Sequence, residues 1–599
     1  MSNGQSRVLA TIRQLPLAAY IVRSHLARDR WTTAWLGWRV LPGSIRRPLL
    51  SLGVVRGSVV GALGLAADGR RSEARRTLVG LAERGPVRSL LAVASAATAV
   101  GEPSVAWSAL ARARTKGPAR SRVEALLLWS EGHLRRALTV AGGSNGRQNR
   151  RLVTRMEGDF SCLIPQLRVP TRTEGRIPTQ FKISGSAATV LHVVTNALPE
   201  VQAGYTLRTH GIAQAQVAKG HEVWVVTRLG FPVDIGVIGA ADRLTLDQVN
   251  YQRLLPSRAI TSSAGPRLDQ GISALERLVT KLRPDLLHAH SKHDNAQLGL
   301  AVGRRLGLPV LYEVRGFLEE TWRSRGGSPD TDRYRMFKDA ETWCMEQADL
   351  VVTLSETMRA EILRRGIQPS HVVVVPNAVP NAFLDPLPDG TAARRQLDIP
   401  EDAYVLGVVS TLSDYEGIQT LLDAVRLIDD PAVHLLVVGS GPAAADLRRT
   451  SLDLAGRITF TGKVPHADIR SYYAAIDTFC VPRHRTPVTE LVPPLKPLEA
   501  LASGVPLLVS DLPPLLELLS ESGAGWSAAA DMPEAWAAQI EHLRDGREER
   551  QSKGRQAREW VREHRTWPRL AETYDMVYGR LGVRTSPALS SGCRHRSFT

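Results

Sequence analysis

From residue 188 onward the chain alternates short apolar runs with helix-length stretches, and that alternation constrains the fold more than any other feature. The first series comprises Thr189-Val-Leu-His-Val-Val194 and residues 220–227, 284–290, 309–315, 348–353 and 371–376. A second series comprises Tyr404-Val-Leu-Gly-Val-Val409 and residues 434–439, 458–460, 478–481 and 506–509. Runs without polar alternation are buried on both faces, which requires a parallel sheet covered by helices on each side. At 599 residues the chain also exceeds what one core can hold. Two doubly wound, Rossmann-like α/β domains are therefore expected, at 187–376 and 377–560, with their strand ends facing a shared cleft.

The chain before that point differs in character. Residues 1–182 carry 30 basic and 10 acidic groups, a net of +20, while the rest carries 46 and 49, a net of −3. A basic segment on a nearly neutral body is a surface-binding device, with anionic lipid or nucleic acid as the usual partners. Within the first segment, 1–64, Trp31, Trp35 and Trp38 share one helix face among arginines. Two readings stand: an interfacial helix on an anionic membrane, or a face packed on the next domain. The charge imbalance favours the membrane, and no nucleic acid is expected.

Residues 65–140 form an all-α, Ala- and Leu-rich region in which Gly69, Ala74 and Leu78 recur as Gly101, Ala106 and Leu110, and more loosely as Gly132 and Ala137. That period is tetratricopeptide-like, with a plain helical bundle as the alternative. Residues 141–186, with Gly142-Gly-Ser-Asn-Gly146 and three prolines, read as a linker. A C-terminal helix is expected at 561–584 and a disordered tail at 585–599. Cys162, Cys344, Cys480 and Cys593 stand far apart, which speaks for a reducing compartment and against structural zinc. No signal-peptide pattern opens the chain, and the apolar run 49–67, broken by Arg56, reads as a buried or interfacial helix. A cytoplasmic protein, peripheral at the inner face of the cell membrane, is the expected setting.

The chemistry gathers in residues 483–517. Arg483, Arg485, Glu490 and Lys496 lead into a short helix bearing Glu499, Gly504 stops it, and the strand that follows ends at Ser510-Asp511. Such a strand-helix mouth offers free N–H groups and partial positive charge, so a phosphate is the expected guest.

Seven motifs then fall in order: Gly204-Tyr-Thr-Leu-Arg208, His288-Ala-His290, Tyr312-Glu-Val-Arg-Gly316, Pro376-Asn377, Gly439-Ser-Gly-Pro442, Phe460-Thr-Gly462 and the stretch around Glu499. With them, residues 188–582 resemble the family-4 glycosyltransferases of the GT-B fold. The resemblance implies that Glu499 grips the ribose hydroxyls of a nucleotide-sugar donor beside Gly439 and Gly441. It places Gly204, Tyr205, Arg208, His290 and Arg315 on the acceptor side. An Arg315–Glu313 ion pair and a structural His290 are the alternatives for those residues.

Two departures matter. The family's glutamate pair has seven residues between its members, whereas Glu490 and Glu499 have eight, which leaves the part of Glu490 in donor binding open. The family's diphosphate Arg and Lys fall at Thr411 and Glu416, so Arg483 and Lys496 are the catalytic candidates for neutralising the leaving diphosphate. The resemblance implies a retaining, metal-independent transfer from a nucleotide sugar to a glycan or lipid-linked acceptor, without cofactor, in cell-surface polysaccharide or glycolipid synthesis. The competing readings are a nucleotide-sugar epimerase or hydrolase on the same fold, and a non-catalytic helical adaptor with a degenerate transferase body.

Overall fold

The computed structural model describes residues 3–26, 30–52, 55, 57–170, 187–256 and 260–583. The tail expected at 585–599 and the end of the expected linker, 171–186, lie outside them.

The first α/β domain holds eight strands: β1 (Thr189–Val194), β2 (Glu222–Thr227), β3 (Arg243–Leu246), β4 (Val249–Gln252), β5 (Leu286–His290), β6 (Val310–Glu313), β7 (Leu350–Thr353) and β8 (Val372–Val374). They run in the order β3-β4-β2-β1-β5-β6-β7-β8, all parallel except the β3–β4 hairpin. The second holds β9 (Tyr404–Val409), β10 (Val433–Val438), β11 (Ile458–Gly462), β12 (Thr478–Val481), β13 (Leu507–Ser510) and β14 (Gly525–Ala528), wholly parallel in the order β11-β10-β9-β12-β13-β14. Strand order reverses beside β1 in one sheet and beside β9 in the other, so a crevice opens at the carboxyl ends of each pair of flanking strands. The central strands β5, β6, β9 and β10 are buried along their whole length.

Two elements escape the apolar-run pattern. The β3–β4 hairpin turns through Asp247 and Gln248 at φ 48° and 64°. Both residues adopt left-handed conformations without the Asn-Gly signature that marks such turns. β14 is an edge strand of mixed polarity.

The N-terminal region is helical, and its repeat has a physical basis. Helices pack in consecutive pairs, Val59–Ala67 with Arg71–Arg84, Leu90–Val100 with Pro103–Arg112, and Pro118–Ser130 with Leu134–Gly142. Gly69, Gly101 and Gly132 sit at the turn inside each pair with φ of 83°, 84° and 92°, and Ala74, Ala106 and Ala137 are buried where the paired helices meet. Two expectations need correction. Residues 147–161, assigned to a linker, form the helix Arg147–Ser161, whose Asp159 caps the helix Ala264–Leu282 by accepting from Ala264 N at 2.6 Å. The tryptophan face is half-buried: Trp31, Trp35 and Trp38 pack against the core of the helical region, as the alternative reading has it.

At the other end, the helix Trp567–Arg580 leaves the second domain and lies on the first, against the helix Gly204–Ala218. Gly211 makes the approach feasible, since a Cβ there would lie 2.2 Å from Trp567 Nε1.

Candidate active site

The second domain builds one wall. Loops after β9 and β10 meet so closely that a Cβ on Gly439 (φ 136°) would lie 1.9 Å from the Ser410 carbonyl oxygen, and one on Gly441 2.3 Å from that of Leu412. These glycines are required by the chain's own backbone at the cleft edge, before any nucleotide is considered.

Lys496 opens the helix Lys496–Ala502, and Gly504 (φ 76°) ends it. Lys496 Nζ donates to both carboxylate oxygens of Glu499 at 3.0 and 2.9 Å, and Tyr473 OH donates to Glu499 at 3.0 Å. Glu499 is buried while Lys496 stays partly exposed. Burial and the adjoining Glu499 carboxylate push the Tyr473 phenol well above its ordinary value, so it remains a donor. Arg483 follows β12 and grips Glu416 through Nη2 and Nε at 2.9 and 3.3 Å, while its Nη1 donates to Val492 O at 3.1 Å. The departure at Glu416 thus has its counterpart at Arg483. An acid stands where the family has a cation, and a cation from the next strand end is drawn onto it. Glu490 turns to Arg485 at 3.1 Å, and Arg485 also holds Asp511 at 2.8 Å, so this pair lies along the sheet edge.

The first domain faces this wall. The loop 488–495 crosses to it, with Val488 N donating to Ser324 Oγ at 3.0 Å. A Cβ on Gly204 would lie 3.9 Å from the Leu495 side chain. Gly204 is therefore at the cleft, next to the residue that precedes Lys496. Tyr205 is partly withdrawn, its hydroxyl accepting from Thr195 N at 3.1 Å.

Arg208, Arg315 and His290, expected at the acceptor, are instead corrections. Arg208 is 2 % exposed and donates to Glu313 at 2.9 Å, to Val375 O at 2.8 Å, to Pro376 O at 2.6 Å and to Tyr574 OH at 3.1 Å. Arg315 donates to Glu313 at 2.7 Å, to Tyr205 O at 2.9 Å and to Thr209 Oγ1 at 2.8 Å. Burial alone would raise Glu313, but Arg208 and Arg315 hold it well below the usual carboxylate range.

The network closes on itself and fixes its own tautomers. Arg315 donates to His290 Nδ1, which leaves Nε2–H of His290 to donate to His192 Nδ1 at 2.7 Å. His192 Nε2–H then donates to Gln216 Oε1 at 2.8 Å, and Gln216 Nε2 donates to Tyr578 OH at 2.6 Å. Tyr578 donates to His288 Nδ1 at 3.1 Å, and His288 Nε2–H returns to Glu313 at 3.1 Å. Burial keeps His192, His288 and His290 neutral by lowering each below its ordinary value. These three imidazoles lie close enough to hold a metal, yet all six ring nitrogens are occupied by hydrogen bonds. The set is a buried polar core.

A cavity of about 370 Å³ opens at the carboxyl ends of β1, β2 and β5, which the sequence did not single out. Thr195, Arg228, Asp234, Arg267, Lys292 and Asp294 line it, and Cys162 from the N-terminal region closes one side. Arg228 pairs with Asp234, and Lys292 with Asp294. Burial, with a smaller contribution from the neighbouring Arg267, pushes Arg228 down to about 10. Helices from three distant segments create the cavity, which is why spacing gave no signal for it.

Two parallel-sheet domains with opposed switch-point crevices, a carboxylate at a helix start and cations at the same edge define a two-domain GT-B enzyme. Residues 203–378 match the glycosyl transferase 4-like domain, and residues 389–560 match glycosyl transferases group 1. Together these spans cover more than half of the chain, which belongs to the group 1 glycosyltransferases of the GT-B fold. It is 27 % identical over 379 residues to D-inositol 3-phosphate glycosyltransferase of Kineococcus radiotolerans, covering 58 % of this chain and 83 % of that one. It is 24 % identical over 399 residues to glycogen synthase of Mycobacterium tuberculosis, covering 63 % and 92 %. Among solved structures, sucrose-phosphate synthase of Thermosynechococcus elongatus aligns with a TM-score of 0.55 at 19 % identity, covering 66 % of this chain and 99 % of that one. Anabaena HepE in complex with UDP aligns at 0.53 and 17 %, covering 65 % and 99 %.

Proposed function

We propose that the protein transfers a sugar from a nucleotide-sugar donor to an anionic acceptor, glycan or lipid-linked, with retention of configuration and without a metal, in cell-surface polysaccharide or glycolipid synthesis. The observation that carries this is the Lys496–Glu499–Tyr473 cluster at a helix start whose preceding residue, Leu495, faces Gly204. Glu499 would accept from the ribose hydroxyls, as an ionised carboxylate does from a diol. That contact would draw on the oxygens now held by Lys496, leaving the ammonium free to meet the diphosphate. As the bond between the anomeric carbon and the diphosphate oxygen breaks, Lys496 and Arg483 would stabilise the charge that develops on the leaving group. UDP in the HepE complex supports a nucleotide donor.

The cavity sets three cations, Arg228, Arg267 and Lys292, against two carboxylates, Asp234 and Asp294, and the remaining positive charge supports an acceptor that carries a negative group. The phosphate in the name of the inositol phosphate relatives agrees with that reading. The test is nucleoside diphosphate release from a panel of nucleotide sugars, with phosphorylated and neutral acceptors and with or without EDTA. Lys496→Ala and Glu499→Ala should each lower donor turnover by ~10-fold or more, about 1.4 kcal/mol in the transition state. EDTA should leave the rate unchanged. No release with any donor would sink the proposal.

A further inference from the structure

The N-terminal helix Asn3–Leu26 has two apolar faces, and the protein uses only one. Ala10, Gln14 and Leu17 are buried, with Gln14 Nε2 donating to Ala240 O at 2.7 Å and its Oε1 accepting from Gly239 N at 2.8 Å. Leu17 belongs to the core of the first α/β domain, and Ala18 and Ile21 pack beside it. Val8, Ile12, Leu15 and Val22 lie on the opposite side of the helix, and each is more than half exposed. Their spacing of four, three and seven residues makes one continuous stripe. The helix rests on the segment Val233–Ile235, and just there Ile235, Val237 and Ile238 are exposed as well. The outer face of the helix thus carries a four-residue aliphatic stripe, with three further exposed branched aliphatics on the loop beneath the helix, and exposed apolar surface of this kind forms an interaction patch.

We propose that this patch docks on an anionic lipid surface. Charge selects the occupant. Residues 1–60 contain nine arginines and one acidic residue, and the helix itself has arginines and no acid. Arg23 is exposed beside the stripe, and Arg13 reaches Asp242 while staying largely in solvent. Although Asp242 answers Arg13, a helix with an apolar stripe, arginines and no acid of its own is what headgroup and acyl boundary accommodate, with Arg23 meeting lipid phosphate while the aliphatics enter. The docking element is therefore a different one from the tryptophan face, which packs on the helical region. Asp234, in the segment beneath the helix, also lines the cavity of Arg228, Arg267 and Lys292, so the docking helix and that cavity adjoin one segment of the first domain. The docking itself stands independently of the reaction, because vesicle binding is read without turnover.

The experiment is flotation of the full chain with vesicles of phosphatidylglycerol and phosphatidylcholine in equal parts, and with phosphatidylcholine alone. Flotation with the anionic vesicles only, weakening as salt is raised, is the expected result. Ile12→Glu/Leu15→Glu should reduce binding by about tenfold or more, since it places two charges at the apolar boundary. Ile12→Asn/Val22→Asn reads the same face should the first variant lose its thermal midpoint. Equal flotation with and without anionic lipid, or flotation unaltered in both variants, overturns the proposal. So does an absence of flotation combined with a dimer on light scattering that the variants abolish, which would make the occupant a second copy of this chain.

Discussion

Glu313 shows how far a single position can depend on residues distant in sequence. It takes hydrogen bonds from Arg208, Arg315, His288 and Tyr574, all inside a fully buried network. Removing its charge would leave two guanidinium groups buried without a counter-ion, and breaking such a pair costs about 3–5 kcal/mol. Glu313→Gln should therefore lower the urea midpoint sharply, and by more than Glu499→Ala, which leaves the buried Tyr473 hydroxyl unpaired at a cost of about 1–3 kcal/mol. Equal losses in both variants would refute the division between core and site. The sequence shows Arg208 four residues after a cleft glycine, and nothing local distinguishes a ligand-binding arginine from one folded inward. What decides it is Glu313, 105 residues later, and Tyr574, beyond the second domain. Lys496 and Glu499, by contrast, are three residues apart at a helix start, and a local pairing of that kind is visible in the sequence.

At the level of elements, the two sheets were legible because fully buried parallel strands have to be continuous apolar runs, as at β1, β9 and β10. The β3–β4 hairpin was not, since its turn residues disguise it, and the helix Arg147–Ser161 was hidden by flanking glycines and prolines. The crossing of the helix Trp567–Arg580 onto the first domain also has no local signal, yet it depends on one residue. Gly211 is in helical conformation, so its role is space: Trp567 fills the volume any side chain would take. Gly211→Val should destabilise by about 1–3 kcal/mol through overpacking, and should open residues 567–580 to limited proteolysis. Gly80 provides the contrast, as a Cβ there meets nothing within 4 Å. Gly80→Ala, in the helix Arg71–Arg84, should stabilise by up to about 1 kcal/mol. If Gly211→Val left the protease pattern unchanged, the C-terminal helix would not be held by this contact.

For the whole molecule, the question is what sets the approach of the two domains. On one side of the cleft, Arg208 anchors the carbonyls of Val375 and Pro376, where the chain leaves β8 for the second domain. On another, Glu517 of the helix Pro513–Ser522 caps the first-domain helix Glu356–Arg364, accepting from Glu356 N at 2.7 Å, Thr357 N at 3.0 Å and Thr357 Oγ1 at 2.7 Å. A carboxylate on the N-terminus of a helix from the other domain is stabilised by charge-assisted hydrogen bonds and by the helix dipole together. This brace forms only when the domains are together, so it contributes to the closed arrangement and not to the folding of either half. Closure is what would exclude water from a donor whose sugar can be lost to hydrolysis. Glu517→Ala should shift the closed-to-open ratio by roughly tenfold for a loss of about 1.4 kcal/mol. In small-angle scattering the variant should show a larger radius of gyration than the parent without ligand, with the difference shrinking on addition of nucleoside diphosphate. In turnover it should raise the share of donor hydrolysed relative to donor transferred, while the thermal midpoint stays near that of the parent. A variant that scatters and partitions its donor like the parent would show that the anchor at Val375 and Pro376 and the crossing loop 488–495 suffice to hold the cleft.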